Sequence, residues 1–278
     1  MIADLRALEP PQLESFTNSL VEQVVAAVTD KIPHLESSLA VAELTVALHY
    51  VLNTPEDVLV WDVGHQGYIH KALTGRMEEL VNMRKPGGLS GFLKRDESPY
   101  DFFGAGHAST SISALAGVCL ADQVSGKSRQ RVAVIGDGSL TGGQSFEALN
   151  HLGSLGADAL VIINDNEGSI DATIGALHHQ QSYGTYVQSL GWQYTFLEQG
   201  NDVRALVEAL QHVLAQPGPQ TLHIKTKRPD LSPPKSYKPG TTFQWWAAET
   251  MGVVLEKNLD IQLLSPAMFA GSGFGPLR

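Results

Sequence analysis

Apolar residues recur along the chain in two rhythms. Short runs rich in β-branched residues, bounded by glycine or polar residues, read as buried strands: Val58 to Trp61, Arg131 to Ile135, Ala159 to Ile163 and Gln220 to Ile224, with a more mixed Gln193 to Phe196. Elsewhere apolar positions return every three or four residues. Leu13, Phe16, Leu20, Val24 and Val28 share a face of an expected helix from Leu13 to Thr29, which Ile32-Pro33 ends because proline cannot continue the hydrogen-bond ladder. Val41, Leu44, Leu48 and Val51 mark a second helix, Val41 to Leu52. Val203, Leu206, Val207, Leu210, Val213 and Leu214 mark another, with Asp202 as its cap. Gln144 to Leu152 has helical composition. A helix starting near Ser109 is built of small residues (Ser111, Ser113, Ala114, Ala116, Gly117), which allow close approach of a neighbouring backbone. Strands and helices alternate, so the pattern predicts an α/β fold, a doubly wound parallel sheet with helices on both faces.

Two stretches break the rhythm. Residues 75–106 hold Gly87, Gly88, Gly91, Gly104 and Gly106 with Lys94, Arg95, Asp96 and Glu97, and a loop of that length reads as a functional covering loop rather than a linker. From Pro229 the text changes to Pro229, Pro233, Pro234 and Pro239, then Trp245-Trp246, then a Gly-rich apolar end from Phe269 to Phe274. The chain therefore divides into a domain over 1–228 and a Pro-rich linker and tail over 229–278, a candidate partner-binding arm.

Composition narrows the setting. Net charge is −10 with no basic block, and binding to a phosphate backbone needs a cationic face, so nucleic acid is an unsuitable partner. Cys119 is the single cysteine, which forbids an internal disulfide and suits a reducing, cytoplasmic compartment. The N-terminus lacks the basic-then-apolar pattern of a secretion signal, and no apolar run is long enough to span a bilayer.

Candidate chemistry sits where strands end. The first strand stops at Asp62-Val63-Gly64-His65, delivering an imidazole. The next stops at Gly136-Asp137-Gly138 and the one after at Asn164-Asp165-Asn166, separated by the 25 residues 139 to 163. Turns favour these residue types on their own account. As a pair at neighbouring strand ends, however, Asp137 and Asn166 place hard oxygen ligands at the edge where open α/β sheets bind ligands, a pattern suited to a metal-held diphosphate. Ser109, Thr110 and Ser111 put hydroxyls and N–H groups at a helix start, where an anion is welcome. Three decoys fail. Ala121 to Ser128 fits a loose phosphate-loop pattern but has its helix before and its strand after. The run 136–143 has Thr141 where a dinucleotide fingerprint needs glycine. His178, His179 and His151 fit no common zinc spacing.

From His34 to about Arg228 the sequence resembles the N-terminal part of the 1-deoxy-D-xylulose-5-phosphate synthase family. The matching text is Glu43 to Tyr50, Trp61 to Gln66, Gly106 to Ser113, Gly136 to Asn150 and Asn164 to Glu167. The resemblance implies a thiamine-diphosphate-binding fold and the cofactors thiamine diphosphate and Mg²⁺. It implies Asp137, Asn166 and the Gly168 carbonyl as metal ligands, and Gly138 and Ser139 as donors to the diphosphate. His65 and the turn Gly106-His107-Ala108 would lie against the cofactor, His34 would face the reacting carbon as acid or base, and His34 and His65 are the candidate catalytic residues. In the family a second domain supplies the glutamate that polarises the aminopyrimidine, and nothing after Arg228 resembles it. The expectation is a two-component enzyme, homodimeric or heterotetrameric. This chain would be the diphosphate-binding subunit, a separate pyrimidine-domain subunit its partner, and a 2-oxoacid (pyruvate) and an acceptor its substrates. An excised domain, ketol transfer as in transketolases, an oxoacid dehydrogenase component, and a cofactor-binding protein without turnover stay open. Departures bear on the acceptor: Gly168 replaces a usual methionine, Gly67 an alanine, and Phe243-Gln244 aligns with a Phe-His pair.

Overall fold

The computed structural model describes residues 1–28, 34–166, 175–179, 182–229, 243–258 and 260–262. Its helices are α1 (Ile2–Arg6), α2 (Leu13–Ala27), α3 (Leu35–Leu39), α4 (Ala42–Val51), α5 (Tyr68–Lys71), α6 (Ser111–Ser125), α7 (Asp137–Leu140), α8 (Gly143–Leu155), α9 (Ala176–His179), α10 (Tyr183–Ser189), α11 (Val203–Leu214) and α12 (Phe243–Lys257). The strands are β1 (Val58–Trp61), β2 (Arg131–Gly136), β3 (Ala159–Asp165), β4 (Gln193–Leu197) and β5 (Pro219–Lys225). Two compact units result, 1–166 with 175–230, and 167–174 with 231–278.

The sheet order is β1-β2-β3-β5-β4, and every pairing is parallel. Side chains alternate across it. Leu59, Trp61, Val132, Val134, Leu160, Ile162, Leu222 and Ile224 pack with α2, α4 and α11 on one face. Val58, Val60, Ala133, Ile135, Val161 and Ile163 pack with α6, α8 and α10 on the other. This is why the central runs 58–61, 132–135 and 159–163 are apolar: both faces are covered there, while edge strand β4 is partly exposed. The helices follow the right-handed crossover rule. From β1 through β2 and β3 to β4 the chain advances in one direction, with α6, α8 and α10 on one face. It then steps back to β5 with α11 on the opposite face. Asp202 caps α11, its carboxylate accepting from the backbone N–H of Arg204 (2.9 Å) and Ala205 (3.2 Å).

Three expectations change. The segment 75–106 is not a loose cover. Leu80, Met83, Leu89 and Leu93 are core residues, and Arg76, Glu97 and Asp101 turn inward while Lys94, Arg95 and Asp96 stay exposed. Buried His49 bonds buried His70 (2.9 Å), His70 bonds Asp101 (3.1 Å), and Arg76 grips Asp101 through two nitrogens (2.8 and 2.7 Å). Buried Lys71 pairs with Glu97 and donates to the Ser90 carbonyl (2.8 Å). Ion pairs and buried apolar side chains together fasten this stretch. Second, α6 begins at Ser111, because Ser109 takes a left-handed conformation (φ 70°). Third, Gly117 of α6 meets no atom within 4 Å of an added Cβ, so close packing does not explain that small residue. Residues 121–128 are the end of α6 and its exit before β2, the order that excludes a phosphate loop.

Within the second unit, Trp245 and Trp246 of α12 pack edge to face at 5.0 Å, with Phe243 and Trp246 exposed. Phe269 to Phe274 lies outside the described residues.

Candidate active site

The carboxyl ends of β1, β2 and β3 carry the residues of interest, and a few buried side chains stitch those ends together. Asp62, one residue past β1, is buried, and its two oxygens accept the backbone N–H groups of Ser109 (2.9 Å) and Ser111 (3.0 Å). Those amides are thus already taken, and the expected open anion site at the start of α6 gives way to an internal cap. Ser109 Oγ donates in turn to the carbonyl of Ser139 (2.7 Å), which also accepts from Ser145 Oγ (3.0 Å). A Cβ at Gly142 would run into Ser109 Oγ, so glycine is required where the loop after β2 meets that serine. Gly64 (φ 78°) has the same constraint: its added Cβ would strike Ala105 at 2.6 Å.

Strain gathers at the same turns. Among non-glycine residues His34 (φ 69°), Val63 (φ 58°), Arg84 (φ 63°) and Ser109 (φ 70°) are left-handed. For the β-branched Val63 this is a true outlier, costing about 1–3 kcal/mol. Surrounding hydrogen bonds hold it, including Gly64 N–H to Asp62 O at 2.6 Å.

The parallel register of β2 and β3 ends at Gly136↔Asn164. Asp137 lies one residue and Asn166 two residues beyond that last pair, on adjacent strand ends. Asp137 is buried and Asn166 half-buried. A carboxylate and an amide oxygen are the hard donors Mg²⁺ prefers, completed by water or phosphate oxygens, so the donor types fit the ion. The one-turn α7 carries Gly138 and Ser139 in its first turn, where amides lack an intrahelical acceptor. Gly168 lies outside the described residues, as do the side chains of His178 and His179. No cluster of three His, Cys, Asp or Glu side chains able to hold a metal exists among the described residues.

His34 and His65 come together with ring centroids 5.2 Å apart in an edge-on arrangement. Ser38 of α3 donates to the His65 carbonyl (3.2 Å), linking the two segments. Burial, then the neighbouring His34 and Arg228, push the His65 pKa down to about 4. Burial, then Arg84 and Arg228, lower His34 too. Among the described residues His65 Nδ1 is buried without a hydrogen-bond partner. Arg228 escaped the sequence reading. Its Nη2 donates to Asn166 Oδ1 at 2.9 Å while its charge reaches both histidines, so it joins the strand-end corner to the imidazole pair. No motif marks it; it lies three residues past β5, at the very end of the domain expected over 1–228. Gly106, His107 and Ala108 are exposed on the turn that ends in the Asp62–Ser109 clamp.

The family model described as 1-deoxy-D-xylulose-5-phosphate synthase matches residues 1–185. The 1-deoxy-D-xylulose-5-phosphate synthase of Alkalilimnicola ehrlichii is 44% identical over 264 residues, covering 80% of this chain and 42% of that protein. That of Pseudoalteromonas translucida is 37% identical over 334 residues, covering 98% of this chain and 54% of its own. The chain thus spans about half the length, or less, of these curated relatives. A transketolase from Leishmania mexicana has a TM-score of 0.66 at 22% identity over 79% of this chain and 37% of its own, and one from Campylobacter jejuni a TM-score of 0.63 at 18% over 74% and 37%. At such identity these solved structures speak for the fold alone, which is transketolase-like. With the model match across residues 1–185 and that level of identity to its relatives, the chain belongs to the 1-deoxy-D-xylulose-5-phosphate synthase family.

Proposed function

We propose that this chain is the diphosphate- and Mg²⁺-binding component of a two-component thiamine-diphosphate-dependent transferase that decarboxylates a 2-oxoacid, pyruvate in the first instance, and passes the acyl carbanion to an acceptor. The observation that carries it is the arrival of Asp137 and Asn166 at the ends of adjacent parallel strands in a chain of this family. When bound, thiamine diphosphate supplies a carbon nucleophile for a carbonyl and a ring that accepts the electrons freed by decarboxylation.

The chain's own residues do the rest. Asp137 and Asn166, with the Gly168 carbonyl, hold the ion, and the Gly138 and Ser139 amides face the diphosphate. The Gly106-His107-Ala108 turn, held by Asp62, supports the cofactor. His65 is neutral at pH 7 and orients by hydrogen bonding rather than by charge. His34 is the more exposed imidazole and carries protons to and from the reacting centre. The glutamate that activates the aminopyrimidine comes from a separate chain, with α12 a candidate contact surface through Phe243 and Trp246. Buried, reduced Cys119 suits a cytoplasmic location, and among the described residues no helix is long and apolar enough to cross a membrane.

Calorimetric titration with thiamine diphosphate tests the site. Binding is expected with Mg²⁺ and not without it, and Asp137→Asn is expected to abolish it; a wild-type chain that binds in neither case refutes the reading. Pyruvate turnover tests the division of labour: none is expected from this polypeptide alone, and full turnover without a partner refutes the two-component proposal.

A further inference from the structure

We infer that Tyr194, His223 and Asp165 form a positioning chain that aims Asn166 at the cation corner, a role that rests on the reading of Asp137 and Asn166 as ligands. Each of three neighbouring strands supplies one member: Asp165 ends β3, His223 lies in β5 and Tyr194 in β4. His223 Nε2 is 3.1 Å from Asp165 Oδ2, and His223 Nδ1 is 2.7 Å from the Tyr194 hydroxyl. Asp165 and His223 are both buried. The rings of Tyr183 and Phe196 close on the imidazole at 4.9 and 5.0 Å.

One proton arrangement satisfies all three groups. An ionised Asp165 only accepts, so His223 donates from Nε2; its Nδ1 then accepts, and the Tyr194 hydroxyl donates. Lys225 Nζ, 3.6 Å from the same carboxylate, balances its charge. Burial, followed by the negative charges of Asp165 and Asp137, raises the Tyr183 phenol, whose ring packs edge-on against the imidazole.

The consequence for Asn166 follows from its place in the chain. Asn166 follows Asp165 directly, just past the end of β3, so fixing Asp165 in the His223 pocket fixes the backbone from which Asn166 reaches Arg228. Thr226 adds two pins, its N–H to the Asp165 carbonyl (2.9 Å) and its Oγ1 to Asn164 Oδ1 (2.6 Å). The chain thereby also keeps a second carboxylate, Asp165, committed elsewhere.

The test uses the full 278-residue chain. Nitrogen-detected NMR of the His223 ring is expected to show the Nε2–H tautomer in the wild type and to lose that preference in Tyr194→Phe. Calorimetry with Mg²⁺ and thiamine diphosphate, well below the unfolding temperature, is expected to show about 10- to 100-fold weaker binding for His223→Phe and a smaller loss for Tyr194→Phe, as for groups that orient a metal ligand. His223→Gln, which can still donate to Asp165, is expected to recover part of it. Should His223→Phe not fold, Tyr194→Phe still decides, since it leaves the ring in place. Wild-type affinity in both variants, or an Nδ1–H ring in the wild type, overturns the inference while the site reading stands. A wild type that binds neither probe overturns both.

Discussion

His65 is an imidazole stripped of most of its basicity by burial first and then by the neighbouring His34 and Arg228. Removing the Arg228 charge relieves both rings, so Arg228→Gln is expected to raise the pKa of His65 and of His34, read by proton NMR titration; an unchanged His65 would place Arg228 elsewhere. His65 was legible in the sequence because it follows the end of β1 inside a motif, whereas His34 was named only through the family resemblance. Their electrostatics were not legible, because Arg228 lies 62 residues beyond Asn166 and only the return of β5 beside β3 joins them. The partners of Asp165 were hidden in the same way: His223 and Tyr194 sit in strands whose text speaks only of apolar alternation.

At the scale of elements, periodicity placed the five described strands and helices α2, α4 and α11, since a run covered on both faces or a stripe at helical spacing can be read locally, while the 15-residue α12 fell in a stretch read as linker and tail. What it missed were contacts between turns. Asp62 looked like punctuation after β1 and is in fact the cap for two amides across a gap of 47 and 49 residues. Asp62→Ala leaves both amides buried and unpaired and is expected to lower stability by about 2–4 kcal/mol in urea unfolding. The loss of cofactor affinity should exceed what partial unfolding explains, because the 106–108 turn loses its anchor. The stretch 75–106 was misjudged for a related reason. Its glycines and charges are surface signals unless partners are known, and the partners, His70, Lys71 and Arg76, come from the preceding helical segment.

Across the whole molecule, several buried histidines are kept neutral. His49 and His70 are lowered chiefly by burial, as is His65. Burial alone would raise Asp101, but hydrogen bonds from Arg76 and His70 and the Lys94 amide hold it far below the usual carboxylate range. For a histidine depressed on folding, the folded state binds fewer protons than the unfolded state below the unfolded pKa. Its stabilisation is therefore complete above pH 6.5 and is lost as pH falls towards the folded value of about 4 for His65. That residue alone accounts for on the order of 2–3 kcal/mol. Denaturant unfolding at pH 7.5 and 4.5 checks this, and equal stabilities would contradict it. Asp101→Asn removes the anion that Arg76 and His70 share and is expected to destabilise the fold by about 3–5 kcal/mol at neutral pH.

The same aspartate bears on the turn proposed to support the cofactor. Asp101 lies three residues before Gly104, and the Asp62 clamp takes hold at Ser109, so the exposed turn of Gly106, His107 and Ala108 is a short bridge moored in the protein interior at both ends. In the proposed cofactor role, flanks fixed in this way restrict the turn before the cofactor docks. Little disorder then remains to be surrendered on docking, and affinity gained by such rigidity shows as a slow departure more than a fast arrival.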